Sequence, residues 1–384
     1  MAAQLTAQPI DLDASVRSKF TVKDGFQLPD REMEFSVEYR PDSKERFVEL
    51  CRELAASGFT PRLVGSEGDA LLFVRKAQTA GKRGSRIPVI FALLTLGSIV
   101  VFGLLFGVAY QQYAPSVSES SAILLYGSAV IAVVAAHEFG HMYVSRRKGE
   151  VPPAPYLLPG IPSVTAALPT LGIISRQRGP AVNRDRFFDV ILAGPLLGLA
   201  FALMLYLLGA LVSVQSAVPL QSCQHVNSTS TATLCPSIIQ LGLDVVVGPL
   251  LPHVAPGYST LSPLSDGATV GLILTFVGLL PITSFDGGHL SSLAWGPAAS
   301  RIASYLSVIL LISVDLTTYG DLPPYWALAF VVLLLMSSNR DSEPQLLDEI
   351  SHISNARRWL YLGALVLALL CMPIPQTIAW FHLG

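Results

Sequence analysis

Two histidines four residues apart, with a glutamate beside the first, stand in His137-Glu138-Phe139-Gly140-His141. They follow fifteen uncharged residues, Ala122 to Ala136. On a helix, positions i and i+4 share a face, so His137 and His141 can reach one metal ion together. Glu138 has the chemistry of a general base toward water activated by such an ion. Ionisable groups at membrane depth cost about 2.5–3.5 kcal/mol each on insertion-derived scales, so a helix that carries three of them points to function. A hydrolytic zinc takes three protein ligands and leaves one position open. Asp286 is the candidate third ligand, because it follows the uncharged run Ala268 to Phe285 in Phe285-Asp286-Gly287-Gly288-His289. His289 is expected to support the site without binding the metal.

The elements that must position these groups are apolar. The 384 residues have a mean hydropathy of +0.53 and only 14% charged residues, which excludes an ordinary soluble protein. The net charge is −2 and no basic stripe is present, so no nucleic-acid partner is expected. Apolar segments run at about 87–110, 121–145, 187–213, 262–285, 301–316, 325–338 and 358–379. Most match the ~20 residues that cross about 30 Å of hydrocarbon. The expected fold is an α-helical polytopic membrane protein of about seven spans. Fourteen of the 25 Lys and Arg lie in residues 1–86, and the rest fall between Arg146 and Arg186 or at Arg301, Arg340, Arg357 and Arg358. Seven crossings that start in the cytosol put all of them on the cytosolic side, as the positive-inside rule asks, and leave the C-terminus outside.

This topology also sets depth. The second span descends to Arg146, so at ~1.5 Å per residue His137 lies roughly 13 Å inside its cytosolic end and His141 about 7 Å. The fourth span descends the same way and delivers Asp286, so the three side chains can meet just below the cytosolic surface. If Ile238 to Leu251 also crossed, Asp286 would move to the opposite face, so that segment is read as a short interfacial or re-entrant piece.

Residues 1–86 are polar, lack a signal peptide and read as a small cytosolic α+β domain. Met33 to Tyr39 alternates like a strand, Asp42 with Glu45 signals the start of a helix running to about Ser57, and Ala70 to Val74 reads as another strand. Residues 87–120 form the first span and outer loop, 121–300 the core with spans 2–4, and 301–384 spans 5–7. The four cysteines form no C-x-x-C pair. Cys223 and Cys235 share the long outer loop, where a disulfide and two free thiols are both compatible with the sequence. Cys51 and Cys371 read as inert, and Asn227-Ser228-Thr229 is a sequon on the outer loop.

With those residues in place, the chain resembles the site-2 proteases, the intramembrane zinc metalloproteases. The likeness rests on His137-Glu138-Phe139-Gly140-His141, on Asp286-Gly287, and on Gly194-Pro195-Leu196-Leu197-Gly198 in the span between them. It covers residues 121–300 and extends toward Met372-Pro373-Ile374-Pro375 in the last span. It implies that one Zn2+ is held by His137, His141 and Asp286, with Glu138 as general base. The implied substrates are single-span transmembrane proteins, some already trimmed by another protease, cut within or near their membrane helix in the lipid bilayer. It also implies a β-hairpin-like element around Val164 to Ile174 that pairs with unwound substrate; an interfacial loop is the competing reading. The family commonly has Asn eight residues before the ligand Asp and Leu just before it, where this chain has Gly278 and Phe285; Pro281 is kept. Gly194, Gly198, Gly278 and Pro281 are therefore the candidate substrate-handling positions, with close helix packing the competing role for Gly194 and Gly198. The alternative function is a catalytically inactive zinc-binding scaffold. The expected location is a prokaryotic plasma membrane, with a plastid membrane as the alternative.

Overall fold

The computed structural model describes residues 11–29, 32–77, 86–162, 164–165, 168–215, 236–247, 249, 260–318, 324–338 and 344–373. Cys223, Cys235 and Asn227 lie outside the described residues, as do Ile374 and Pro375. The chain runs through α1 (Leu12–Lys19), β1 (Val22–Gln27), β2 (Met33–Val37), α2 (Ser43–Ala56), β3 (Phe59–Gly65) and β4 (Ala70–Lys76). The apolar part follows, with α3 (Ile87–Tyr113), α4 (Glu119–Lys148), β5 (Ala154–Pro159), β6 (Thr170–Arg176), α5 (Arg184–Leu211), β7 (Val214–Gln215) and α6 (Ile238–Val247). It ends with β8 (Thr260–Leu261), α7 (Pro263–Leu279), α8 (Asp286–Trp295), α9 (Pro297–Thr318), α10 (Pro324–Ser338) and α11 (Asn355–Leu370).

The first six elements make an α+β module with an antiparallel sheet in the order β1-β2-β4-β3. Alternation along β2 and β4 turns Phe35, Val37, Leu72 and Val74 inward, where they are buried with Val16, Phe47, Leu50 and Leu54 of the two helices. The expected cap of α2 does not form. Asp42 has a helical backbone (φ −90, ψ 0) with no side-chain cap bond, so it lacks the extended geometry that aims a capping side chain at the first turn. Its carboxylate instead pairs with Arg46 at 2.6 Å, and Ser43 Oγ accepts the Arg40 N–H at 2.8 Å.

The outer edge of β3 is covered by a later part of the chain. Leu63 N–H donates to Leu347 O at 2.7 Å and Glu349 N–H to Leu63 O at 3.0 Å. Ile350 is buried in the module's core. The same segment bonds to the entry of α5, with Leu347 N–H on Ala181 O at 2.8 Å and Asp348 N–H on Val182 O at 2.9 Å. Residues 345–351 thus strap the module to the helical part.

Among the described residues, four helices are long and apolar enough to cross a membrane, namely α3, α4, α5 and α9. The expected fourth, sixth and seventh spans contain helices of 17, 15 and 16 residues. α6 has 10 residues, about 15 Å of rise, too little to cross. α7 is buried on nearly every face, from Gly267 to Leu279 apart from Leu274, as a core helix must be. It packs against α4 and α5, while α3 lies on α4. Tyr110 OH, near the C-terminal end of α3, donates to Asp266 in the first turn of α7 at 2.7 Å and ties the two helices together.

The expected helix over 262–285 is interrupted. Pro281 has no N–H and forces Leu280 out of the helical region (φ −58, ψ 146). The chain turns through Ser284 at φ 75, and a new helix opens at Asp286. The expected hairpin also differs in extent. β5 and β6 pair antiparallel, Ala154 opposite Arg176 to Pro159 opposite Thr170, so only the end of the segment Val164 to Ile174 is strand.

Candidate metal centre

Each histidine is placed by α4. Ser118 caps its first turn, and it ends at Gly149 in the left-handed conformation after Arg146, Arg147 and Lys148. Those cations complement the negative end of the helix dipole. Asp286 comes from the first turn of α8. Gly287 lets α8 begin against the end of α7, since a Cβ there would overlap the carbonyls of Leu279 and Leu280. Tyr361 OH of α11 donates to Gly287 O at 2.8 Å and holds that turn from the other side.

Three polar atoms converge. His137 Nε2 lies 3.2 Å from His141 Nε2, and Asp286 Oδ2 lies 3.0 Å from the first and 3.4 Å from the second. His141 Nδ1 is 2.8 Å from Val190 O. That contact makes Nδ1 the donor and leaves Nε2 with its lone pair. The lone pair of His141 Nε2, the Asp286 carboxylate and His137 Nε2 therefore meet at one point, a set of three donor atoms that could hold a metal ion. The three separations match the edge of a tetrahedron with arms of ~2.0–2.1 Å, about 3.3 Å, the geometry of zinc with nitrogen and oxygen ligands.

Among the described residues six buried side-chain atoms lack a hydrogen-bond partner, and two of them are carboxylate oxygens at this site, Asp286 Oδ1 and Glu138 Oε1. An orphaned carboxylate oxygen is costly in a low-dielectric interior. Both oxygens belong to the same small region, so the donor set fits a metal with a base beside it.

The remaining sequence-derived positions surround this point. A Cβ on Gly194 would overlap the His141 ring, and one on Gly198 would lie 3.2 Å from His137 Cβ. Both glycines therefore let α5 pack directly on the two imidazoles. Pro195 interrupts the hydrogen bonds of α5, an interruption neighbouring helices can accommodate in a membrane. Gly278 lines a narrow cleft that reaches His137 and Asp286 and is walled by Val133, Ile173, Gly271 and Thr275. Pro281 accepts Ser304 Oγ on its carbonyl at 2.6 Å and does not line that cleft. Phe285 is fully buried and rests against Gly172 of β6. His289 is 2.8 Å from Ser175 O through Nε2 and edge-on to Phe187, so it fastens β6 to α8. Sequence reasoning missed the Val190 carbonyl, which no side-chain pattern could reveal, and Tyr361, which lies far from the motif.

Comparison with known proteins gives a consistent picture. The model of peptidase family M50 matches residues 126–316. The chain is similar to a protein of Oryza sativa subsp. indica named probable zinc metalloprotease EGY2, chloroplastic, with 26% identity over 325 residues, 82% of this chain and 55% of the relative. The Arabidopsis thaliana protein of the same name is 26% identical over 299 residues, 75% of this chain and 50% of the relative. Probable zinc metalloprotease EGY1, chloroplastic, of Arabidopsis thaliana is 24% identical over 256 residues, 65% and 42% of the two chains. The chain spans about half the length of these curated relatives. Their names give no support to a prokaryotic plasma membrane. No solved structure matches.

Proposed function

Since the chain belongs to the site-2 protease family of membrane zinc metalloproteases, we propose that it is an intramembrane endopeptidase acting on single-span transmembrane proteins. One observation carries the reading: His137 Nε2 and His141 Nε2, with the orphaned Glu138 Oε1 on the same helix of membrane length, converge with Asp286 Oδ2 from the first turn of α8. In this reading His137, His141 and Asp286 hold the zinc. When bound, zinc supplies Lewis acidity that brings a water's pKa to ~7 and polarises the scissile carbonyl.

Glu138 takes the proton from that water and returns it to the leaving amine. Burial of Oε1 without a partner leaves it free to accept. Val190 O fixes the His141 tautomer, and the backbone turn after Pro281 aims Asp286. The cleft that meets His137 and Asp286 has mostly apolar walls, which suits an unwound stretch of membrane helix. β6 contributes Ile173 to that cleft, and its sheet has two strands, so an extended substrate can add along its other edge. Gly278 leaves open space where the family commonly carries Asn, so substrate side chains occupy that volume here.

The charge distribution supports seven crossings with the N-terminal module on the positive side and the C-terminus opposite. Within this scheme residues 1–86 are the module, 121–300 the catalytic core and 301–384 the accessory spans. The test is to incubate the detergent-purified chain with single-span substrates and map the product ends by mass spectrometry. Cuts inside or beside the membrane helix, absent in His137→Ala, are expected. Cuts confined to soluble loops, or unchanged in His137→Ala, contradict the reading. Uncut substrates in a zinc-loaded sample favour the scaffold alternative.

A further inference from the structure

The start of α5 gathers the ends of three other elements. Asp189 takes Arg357 of α11 on both carboxylate oxygens, each at 2.7 Å, and also binds Nζ of Lys148, the last residue of α4. One turn earlier, Asp185 accepts Lys44 of α2 at 2.7 Å and the Ser354 N–H at 2.9 Å, with Arg357 Nη1 3.0 Å away. Arg184 donates to Glu349 O and Ser351 O of the strap at 2.9 and 2.7 Å. These pairs are partly shielded; the Lys44 and Asp185 side chains are 17% and 15% exposed. They can hold a geometry that fully exposed pairs do not.

The next residue after Asp189 is Val190, whose carbonyl faces His141 Nδ1 at 2.8 Å. One residue on a helix is ~1.5 Å of rise and lies on rigid backbone, so displacing Asp189 displaces the Val190 carbonyl with it. Lys148 is seven residues beyond His141 on α4, two turns along the same helix. The Lys148–Asp189 bridge therefore ties together the two helices that bear His141 and the carbonyl that orients it.

We propose that Asp189 is a positioning residue: by clamping Lys148 and Arg357 to the first turns of α5, it holds Val190 O on His141 and so aims His141 Nε2 at the metal. This rests on the reading of His141 as a metal ligand. Through Asp185 and Lys44, the N-terminal module grips the same part of α5. The module is thereby mechanically linked to the metal centre.

The test uses the full chain in detergent with cobalt in place of zinc, read by its visible absorption and by chelator competition. Wild type, Asp189→Asn, Asp189→Glu and Arg357→Gln are compared, with circular dichroism to confirm the fold. Asp189→Asn and Arg357→Gln should alter the cobalt bands and weaken cobalt binding roughly tenfold, the low end for loss of a group that orients a ligand. Asp189→Glu should restore both. A purely stabilising role would lower the unfolding temperature and leave the cobalt spectrum unchanged. A folded Asp189→Asn with wild-type bands and affinity overturns the proposal. If Asp189→Asn does not fold, unchanged bands in Arg357→Gln overturn it equally. A wild type that takes up no cobalt overturns the metal reading, and with it this proposal, so the two failures are told apart by the wild type.

Discussion

Gly194→Ala probes the packing that aims the metal centre. A Cβ at this position would sit 2.5 Å from His141 Cε1 and 2.7 Å from Cδ2, where carbon atoms rest at ~3.5–4.0 Å. Either the ring or α5 must move by roughly 1 Å to relieve this. His141 is 1% exposed, so the ring has little room and its 2.8 Å contact with Val190 O would stretch beyond the ~3.2 Å reach of a hydrogen bond. The overpacking alone costs about 1–3 kcal/mol of stability. Loss of an orienting bond to a ligand costs about 10–100-fold in metal affinity, or about 1.4–2.7 kcal/mol. Zinc affinity of the purified variant, measured by chelator competition, should therefore fall at least about tenfold. Gly278→Ala is the matched control, since nothing lies within 4 Å of a Cβ there, and it should bind zinc as wild type does. A folded Gly194→Ala with undiminished zinc affinity would refute the placement of α5 against His141.

Three further outcomes follow from the same geometry. Stripping zinc with a chelator should stop cleavage and lower the unfolding temperature; a metal at 100 times its dissociation constant stabilises by about 2.7 kcal/mol. Both should return on adding zinc, and cleavage by metal-free protein would contradict the role given to His137, His141 and Asp286. Gly278→Leu should fill the cleft beside His137 and Asp286, cutting kcat/KM on a membrane-helix substrate by about tenfold or more while zinc content stays at the wild-type level. Unchanged kcat/KM would mean that substrate passes elsewhere. Cys51 is buried among α2 and the module core, and burial pushes its thiol well above the usual value. It should resist maleimide at neutral pH until the module unfolds, so rapid labelling of native protein would show that the module opens readily.

The convergence of His137, His141 and Asp286 was legible because these residues break a strong background. Two histidines and a glutamate in an uncharged helix stand out by cost alone, and positive-inside counting led to the expectation that Asp286 meets them. The module's β2, α2 and β4 were legible from alternation and helical periodicity. β3 was not, because Pro61 and the flanking Gly58 and Gly65 hide its strand pattern. The break between α7 and α8 was hidden by uncharged sequence on both sides of Pro281. The strap at 345–351 was illegible for a different reason: its pairing with Leu63 and Ala181 is made by backbone groups far apart in sequence. Likewise the Val190 carbonyl owes its place to the close approach of α4 and α5, not to its side chain.

The most direct measurement is paired, on detergent-purified wild type and Glu138→Gln, with zinc per chain from elemental analysis and cleavage followed on one single-span substrate. The account predicts about one zinc per chain in both proteins and cleavage only by the wild type, because an amide in place of the Glu138 carboxylate cannot accept the water's proton while the three ligands are untouched. Cleavage by Glu138→Gln at the wild-type rate, or a folded wild type without zinc, would contradict it.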